Sequence, residues 1–222
     1  MRFDAYFFDF DGVLAASEVY HHRGYNRVLE ATGQALDFAE FRARYVHLDD
    51  TALFRTLARD RGLDWGETRA AEMAREVQRQ FLDSLKEDIF YPGMAALVRR
   101  LKPTAPLAVV SMGDRAMLDR ALDLAGVAAC FSTIVSPADV KNPKPDPEAY
   151  LLALARVRAL RDPDLRPERC LVMEDSRGGV LSGKAAGMAV AALTHNQTAD
   201  VLKAAGADWI LENVAALDRF LA

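Results

Sequence analysis

The sequence predicts a doubly wound parallel α/β sheet with a second, all-helical domain inserted near its start. Two observations carry this. Short apolar runs bounded by Gly, Pro, Ser or Asp alternate with helical patterns over most of the chain. The stretch from about Ser17 to Asp88 breaks that alternation and contains only helical periodicity. Apolar runs of four to eight residues without polar alternation are the mark of strands buried on both faces. Strands that alternate with helices imply a parallel sheet covered on both sides.

Taken in order, Tyr6–Phe10 is the first strand, and it ends in carboxylates. In the inserted block, Tyr25, Val28, Leu29 and Thr32 fall at helical spacing, with Gly33 as the stop. Shorter helices are expected over Phe38–Tyr45 and Thr51–Arg61. Met73, Val77, Phe81 and Leu85 recur every four residues, one face of a longer helix that is most simply core packing. Ile89-Phe90-Tyr91-Pro92-Gly93 then returns the chain to the sheet domain. Further strands are expected at Leu107–Val110, Leu171–Met173, Met188–Leu193 and, more weakly, Trp209–Leu211. Helices are expected over Gly93–Leu101, Ala116–Leu124, Pro147–Leu160, Gly178–Ala186 and Ala199–Ala205. The expected boundaries are 1–16 with 89–222 for the sheet domain and 17–88 for the insertion.

The bulk numbers narrow the function classes. The 222 residues are 51% hydrophobic and 27% charged, the composition of an ordinary globular protein. A net charge of −4 gives no general field for nucleic acid or a membrane surface. No apolar run approaches the ~18 residues that span a bilayer. Acidic residues at Asp4, Asp9 and Asp11 do not fit a signal peptide, so the expected location is the cytoplasm. Cys130 and Cys170 lie in apolar contexts without metal-ligand spacing, which suits small buried hydrophobes better than reactive thiols.

In open α/β sheets, ligands bind at the carboxyl ends of the strands. Collecting the polar residues there gives a chemically coherent set. The first strand ends in Asp9 and Asp11, the second in Ser111, and the Leu171–Met173 strand in Glu174-Asp175-Ser176. Lys144 lies in the connection Lys141-Asn142-Pro143-Lys144-Pro145-Asp146-Pro147. Four crowded carboxylates repel one another and shift one another's titration, and a hard cation relieves this. Oxygen-only ligation suits Mg²⁺, which takes one or two carboxylates plus substrate phosphate. Lys144 offers a compact positive charge to a phosphate, and Ser111 a neutral donor. A carboxylate such as Asp9 can act as nucleophile, and Asp11 as acid and base.

Asp9-Phe10-Asp11-Gly12-Val13-Leu14, Ser111, Lys144-Pro145-Asp146-Pro147 and Glu174-Asp175-Ser176, in this order, resemble the four motifs of the haloacid dehalogenase superfamily of phosphatases. The resemblance runs from Tyr6 to about Gly206 and includes Ser17-Glu18, His21 and Gly178-Gly179-Val180. It implies a Rossmann-like core, a helical cap and hydrolysis of a small phosphomonoester, a sugar phosphate or a phosphoglycolate-like metabolite, through an aspartyl-phosphate. It further implies Asp9 as nucleophile and Asp11 as acid/base. Mg²⁺ would be held by the Asp9 and Asp175 side chains and the Asp11 carbonyl, with Glu174 a ligand or a neighbour of one. Ser111 and Lys144 would meet the phosphoryl oxygens. Superfamily dehalogenases lack the second aspartate of the first motif, so Asp11 points away from dehalogenation.

Plainer readings stand beside some of these. Lys141 rivals Lys144, but the Lys-Pro-x-Pro pattern favours Lys144. Glu174 could simply brace its turn. His21 opens the first helix of the insertion, where a histidine is often a surface residue; the resemblance makes it a substrate contact or proton relay. His47 stands where relatives often have Gly, and either touches substrate or fills a loop. Arg115 reaches a substrate anion or caps the following helix. His195 lies at the correct sheet edge with no role assigned.

Two rival functions share these motifs. A β-phosphoglucomutase-like sugar-phosphate mutase differs mainly in the cap. There Asp49-Asp50 would repel a second phosphate if turned inward. A catalytically silent binding protein would be expected to have lost one of Asp9, Asp11, Ser111, Lys144 or Asp175, and all five are present.

Overall fold

The computed structural model describes residues 3–46 and 48–222. His47 therefore lies outside the described residues. The chain divides into two compact units: one runs through Ala16 and resumes at Asp88, and the other is Ser17–Glu87.

The first unit is built on six strands: β1 (Ala5–Phe8), β2 (Leu107–Val110), β3 (Phe131–Val135), β4 (Cys170–Glu174), β5 (Ala189–Leu193) and β6 (Trp209–Leu211). They form one sheet in the order β3-β2-β1-β4-β5-β6, with every pairing parallel. This is the doubly wound α/β arrangement, and its order reverses at β1, which lies between β2 and β4. The crevice at such a reversal, outside the carboxyl ends of the strands, is where these sheets bind ligands.

Its helices are α5 (Met94–Leu101), α6 (Arg115–Leu124), α7 (Glu148–Leu160), α8 (Arg177–Ala185), α9 (Ala199–Ala204) and α10 (Val214–Phe220), in the numbering that counts four earlier helices in the second unit. β1, β2 and β4 are buried at every residue, as their uninterrupted apolar sequences require. Side chains alternate between the two faces of the sheet. Ala5, Phe7, Ala108, Val110 and Val172 face one way and meet Ala149, Tyr150, Ala153, Leu154 and Val157 of α7, together with Val180 of α8. Phe8, on the other face, packs edge-on against Phe131 with ring centroids 6.0 Å apart. Each fully buried large apolar side chain contributes about 1.5–3 kcal/mol relative to exposure.

The structure departs from the sequence expectation at three places. β1 ends at Phe8, so Asp9 and Phe10 belong to the turn beyond it. β3 was not expected: its sequence Phe-Ser-Thr-Ile-Val is half-buried at four of five positions, as an edge strand allows, and lacks a continuous apolar run. α10 was also not expected. Its Asn213 cap donates nothing to the apolar pattern but accepts from Ala216 N over 3.0 Å, closing the first turn.

The second unit contains α1 (Glu18–Glu30), α2 (Phe38–Arg44), α3 (Asp50–Arg61) and α4 (Glu67–Ser84). Asp37 and Asp49 cap α2 and α3 through backbone N–H groups of Ala39, Glu40 and Ala52. Gly62 ends α3 with φ at 63°, a conformation that favours glycine. α4 packs against α1 and α3. Tyr25, Leu29, Phe41, Leu53, Phe54, Leu57, Met73 and Val77 form this unit's own core. Phe81 and Leu85 are also buried, so the four-residue stripe is packing surface, although Leu85 lies just past the helix end. No helix of the described residues is long and apolar enough to cross a membrane.

Candidate active site

The carboxyl ends of β1 and β4 lie side by side, since Phe8 is in register with Met173. Asp9 follows β1 directly, and its N–H donates to Met173 O over 2.9 Å. Glu174 is the last residue of β4, and Asp175 follows it. Asp9, Glu174 and Asp175 are all buried, and each offers an oxygen within 4.8 Å of the others. Among the described residues they are the one group with the donors to hold a metal ion.

Lys144 joins this trio from the connection between β3 and α7. Its ammonium donates to Glu174 Oε1 over 2.6 Å, to Asp9 Oδ1 over 3.0 Å and to Val110 O over 2.9 Å. Val110 is the last residue of β2, so Lys144 ties the ends of three adjacent strands together. Lys141, the rival candidate, instead donates its backbone N–H to Glu148 Oε1. Ser111 follows Val110 and is fully buried. Its N–H donates to Val135 O and its Oγ accepts from Gly113 N over 3.0 Å.

Glu174 is held on both carboxylate oxygens. Oε1 accepts from Lys144 and from the Tyr150 hydroxyl at 2.7 Å. Oε2 accepts from Ser176 Oγ at 3.0 Å and, more weakly, from the N–H groups of Asp175 and Ser176. Gly179, on the first turn of α8, lies so close that a Cβ there would overlap this carboxylate. The glycine of the Gly178-Gly179 pair is thus required by the approach of α8 to Glu174. Both the bracing role and a place at the edge of a metal site are compatible with this geometry.

The electrostatics follow from three buried carboxylates facing one ammonium. Burial raises the Asp9 carboxyl, and the negative charges of Glu174 and Asp11 raise it further against the pull of Lys144, so that it is pushed up to about 8. Burial pulls the Lys144 ammonium down, but the carboxylates of Asp9 and Glu174 outweigh it and hold the group above its usual range. Tyr150 is pushed well above the usual phenol range by burial and by the carboxylates around it, so it remains a donor. Excess buried negative charge with oxygen-only donors is the setting that favours a hard divalent cation.

The first-motif turn is tight. Leu14 N and Ala15 N both donate to Phe10 O, and Gly12 N donates to Ala15 O. Gly12 takes φ of 74°, and a Cβ there would overlap the Asp175 carboxylate and the Asn196 amide. Asp11 is half-buried in this turn and close enough to Asp9 to raise it.

Of the remaining sequence candidates, Arg115 begins α6 and donates through Nε to both oxygens of Asp119, at 2.9 and 3.1 Å. The cap of that helix is Asp114, which accepts from Ala116 N and Met117 N. His21 packs within the helical unit, its ring 4.5 Å from that of Phe81. Asp49 and Asp50 are engaged inside that unit: Asp49 caps α3, and Asp50 accepts from the Tyr25 hydroxyl at 2.5 Å. Cys170 is buried and its thiol is pushed up to about 12, chiefly by burial, while Cys130 is half-buried.

Tyr150 and Asn196 carry no sequence signal for this site, and His195 carries only its place at the sheet edge. Tyr150 sits on the first turn of α7, where a lone buried tyrosine has no spacing that sets it apart from a core residue. Asn196 donates to Asp175 Oδ2 over 2.6 Å. His195, placed at the correct edge by sequence, has Nδ1 2.7 Å from Gly12 O. A loop partner of this kind leaves no periodic signal.

Comparison with known proteins gives the family. A family model described as haloacid dehalogenase-like hydrolase matches residues 3–187. The chain belongs to the haloacid dehalogenase-like hydrolase family, and it is a phosphatase of that family. Among its relatives, a phosphorylated carbohydrates phosphatase of Thermotoga maritima is 32% identical over 83% of this chain and 82% of its own length. The protein CbbY of Rhodobacter capsulatus is 29% identical over 97% of this chain and 96% of its own. The crystal structure of a CbbY mutant from Rhodobacter sphaeroides in complex with xylulose 1,5-bisphosphate superposes with a TM-score of 0.78 at 26% identity, covering 94% of this chain and 93% of that one.

Proposed function

We propose that this protein is a Mg²⁺-dependent phosphatase of small sugar phosphates that works through an aspartyl-phosphate on Asp9. The observation that carries this is Lys144 Nζ, which bridges Asp9 and Glu174 inside the buried carboxylate trio at the sheet's reversal point. In the first step a carboxylate oxygen of Asp9 attacks phosphorus and the ester oxygen leaves. Asp11 donates the proton that the leaving oxygen needs. In the second step Asp11 takes a proton from water, the water oxygen attacks phosphorus, and Asp9 is regenerated with release of phosphate.

Lys144 and Ser111 would hold the phosphoryl oxygens, so that positioning and charge do most of the work. The side chains of Asp9 and Asp175, with the Asp11 carbonyl, would hold Mg²⁺, and Glu174 would stand beside them, kept in place by Tyr150 and Ser176. When bound, the ion supplies positive charge to the transferring group. The helical unit, 17–88, would serve as the cap that excludes water and contacts the sugar. His21 and His47 of that unit, and Arg115 of α6, are candidate substrate contacts, with Arg115 first having to leave Asp119.

The choice of sugar phosphates rests on the relatives named above. A panel of phosphorylated sugars and sugar acids, assayed for inorganic phosphate with and without Mg²⁺, tests it. Phosphate release that requires Mg²⁺ and disappears in Asp9→Asn is expected. Stoichiometric interconversion of glucose phosphates without phosphate release would establish the mutase instead.

A further inference from the structure

We infer that the segment His195-Asn196-Gln197 is a positioning strap for the metal-binding carboxylate Asp175, with Asn196 as the residue that orients it. The inference rests on the Mg²⁺ assignment above. The segment follows β5 and lies beyond the residues that match the family model, which end at 187. β5 pairs directly with β4, and Glu174 is in register with Ala192, so the loop after β5 emerges beside Asp175.

Three consecutive side chains of this loop each hold a different part of the site. Asn196 Nδ2 donates to Asp175 Oδ2 over 2.6 Å, a short bond of the kind a charged acceptor makes. His195 Nδ1 is 2.7 Å from Gly12 O, and since a carbonyl only accepts, Nδ1 carries the hydrogen. The His195 ring stacks on Tyr91 with centroids 4.1 Å apart, which fixes its plane. Gln197 Oε1 accepts from Arg177 N over 2.8 Å, at the start of α8 and two residues past Asp175. The strap therefore joins the first-motif turn to the β4–α8 connection. The absent side chain at Gly12 is part of it, because the Asp175–Asn196 pair occupies the space that a Cβ would need.

A carboxylate pinned on one oxygen has one orientation left to offer a cation. Partners that orient a metal ligand in this way are worth about 10–100-fold in metal affinity. A loop that merely anchors β5 would leave that affinity unchanged.

The test is a Mg²⁺ titration of the full chain, read by calorimetry and by the Mg²⁺-induced rise in melting temperature, for the wild type and Asn196→Ala. The strap predicts that metal-free Asn196→Ala still folds, with a melting temperature lowered by the loss of the bond to Asp175, and that its Mg²⁺ Kd is raised about 10–100-fold. It also predicts that p-nitrophenyl phosphate turnover in Asn196→Ala recovers as Mg²⁺ is raised, which a purely structural defect would not do. Should Asn196→Ala fail to fold, Asn196→Ser, whose hydroxyl is too short to reach Asp175, is read in the same titration. A wild-type Kd in a folded variant, or loss of folding in both variants, overturns the strap alone. A wild type that binds no Mg²⁺ overturns the metal assignment and the strap with it.

Discussion

The hydroxyl of Tyr150 donates to Glu174 Oε1 over 2.7 Å, and both residues are fully buried. A buried carboxylate must have its oxygens satisfied, and here a helix of one face of the sheet supplies a donor that a phenylalanine could not. Lys144 alone would remain on Oε1 in Tyr150→Phe. A hydrogen bond to a charged group contributes about 1.5–3 kcal/mol. Tyr150→Phe is therefore expected to lose that much stability in urea unfolding while folding to the same structure. Unchanged stability would mean that the hydroxyl is not needed to keep Glu174 in place.

Lys144 supports both fold and chemistry. Removing one member of a buried ion pair costs about 3–5 kcal/mol, because the partner is left uncompensated. Lys144→Met is expected to be destabilised by that order and to show no measurable phosphatase turnover. Lys144→Arg is expected to fold better than Lys144→Met yet remain impaired, since a forked guanidinium does not reproduce the point charge shared by Asp9, Glu174 and Val110 O. Turnover in Lys144→Met near the wild-type rate would exclude the lysine from phosphate binding.

Asp9→Asn is expected to abolish turnover and, without metal, to raise stability at pH 8. The Asp9 carboxyl is pushed up to about 8 in the folded chain, against 3.8 for a free aspartate side chain. A folded value above the unfolded one means that the folded state holds the proton more tightly. The contribution to stability is full below 3.8 and is lost as pH rises through about 8. Asparagine has no proton to lose, so the melting-temperature gain of the chelator-treated variant should shrink from pH 8 towards pH 4. A variant less stable than the wild type at pH 8 would contradict the crowding of carboxylates.

Asp139 gives the opposite pH signature, away from the site. Burial raises its carboxyl, but hydrogen bonds from Arg156 and Ser136 outweigh this and bring it down to about 2. Its contribution is present above 3.8 and is lost as pH falls through about 2. Asp139→Asn should thus be less stable than the wild type at pH 7, with the difference vanishing by pH 2. A difference independent of pH would point to lost packing instead.

Much of the fold was legible because buried parallel strands leave uninterrupted apolar runs. β2 was read with the bounds it has, and β4 and β5 to within a residue or two. β3 escaped because an edge strand with Ser132 and Thr133 need not be apolar, and its half-buried pattern is shared by ordinary loops. Asp9, Lys144, Glu174 and Asp175 were legible as a set because each lies next to a strand end or in a Lys-Pro-x-Pro connection. Asn196 and Tyr150 were not, because a single loop amide and a single helical tyrosine have no spacing that distinguishes them from solvent-facing or core residues.

The sequence alone determined the alternation of strands and helices, the helical interruption between them, and the acidic and basic residues at the strand ends. Local periodicity and turn chemistry are properties of neighbouring residues, so they can be read along the chain. Only the tertiary structure decided that Lys144 bridges Asp9 and Glu174, that Tyr150 and Gly179 fix Glu174, and that Asn196 reaches Asp175. Those contacts join residues 21 to 135 positions apart or depend on a helix's approach to a strand end. They exist because β1 and β4 become neighbours when the sheet closes, and that pairing is set by packing of the whole sheet.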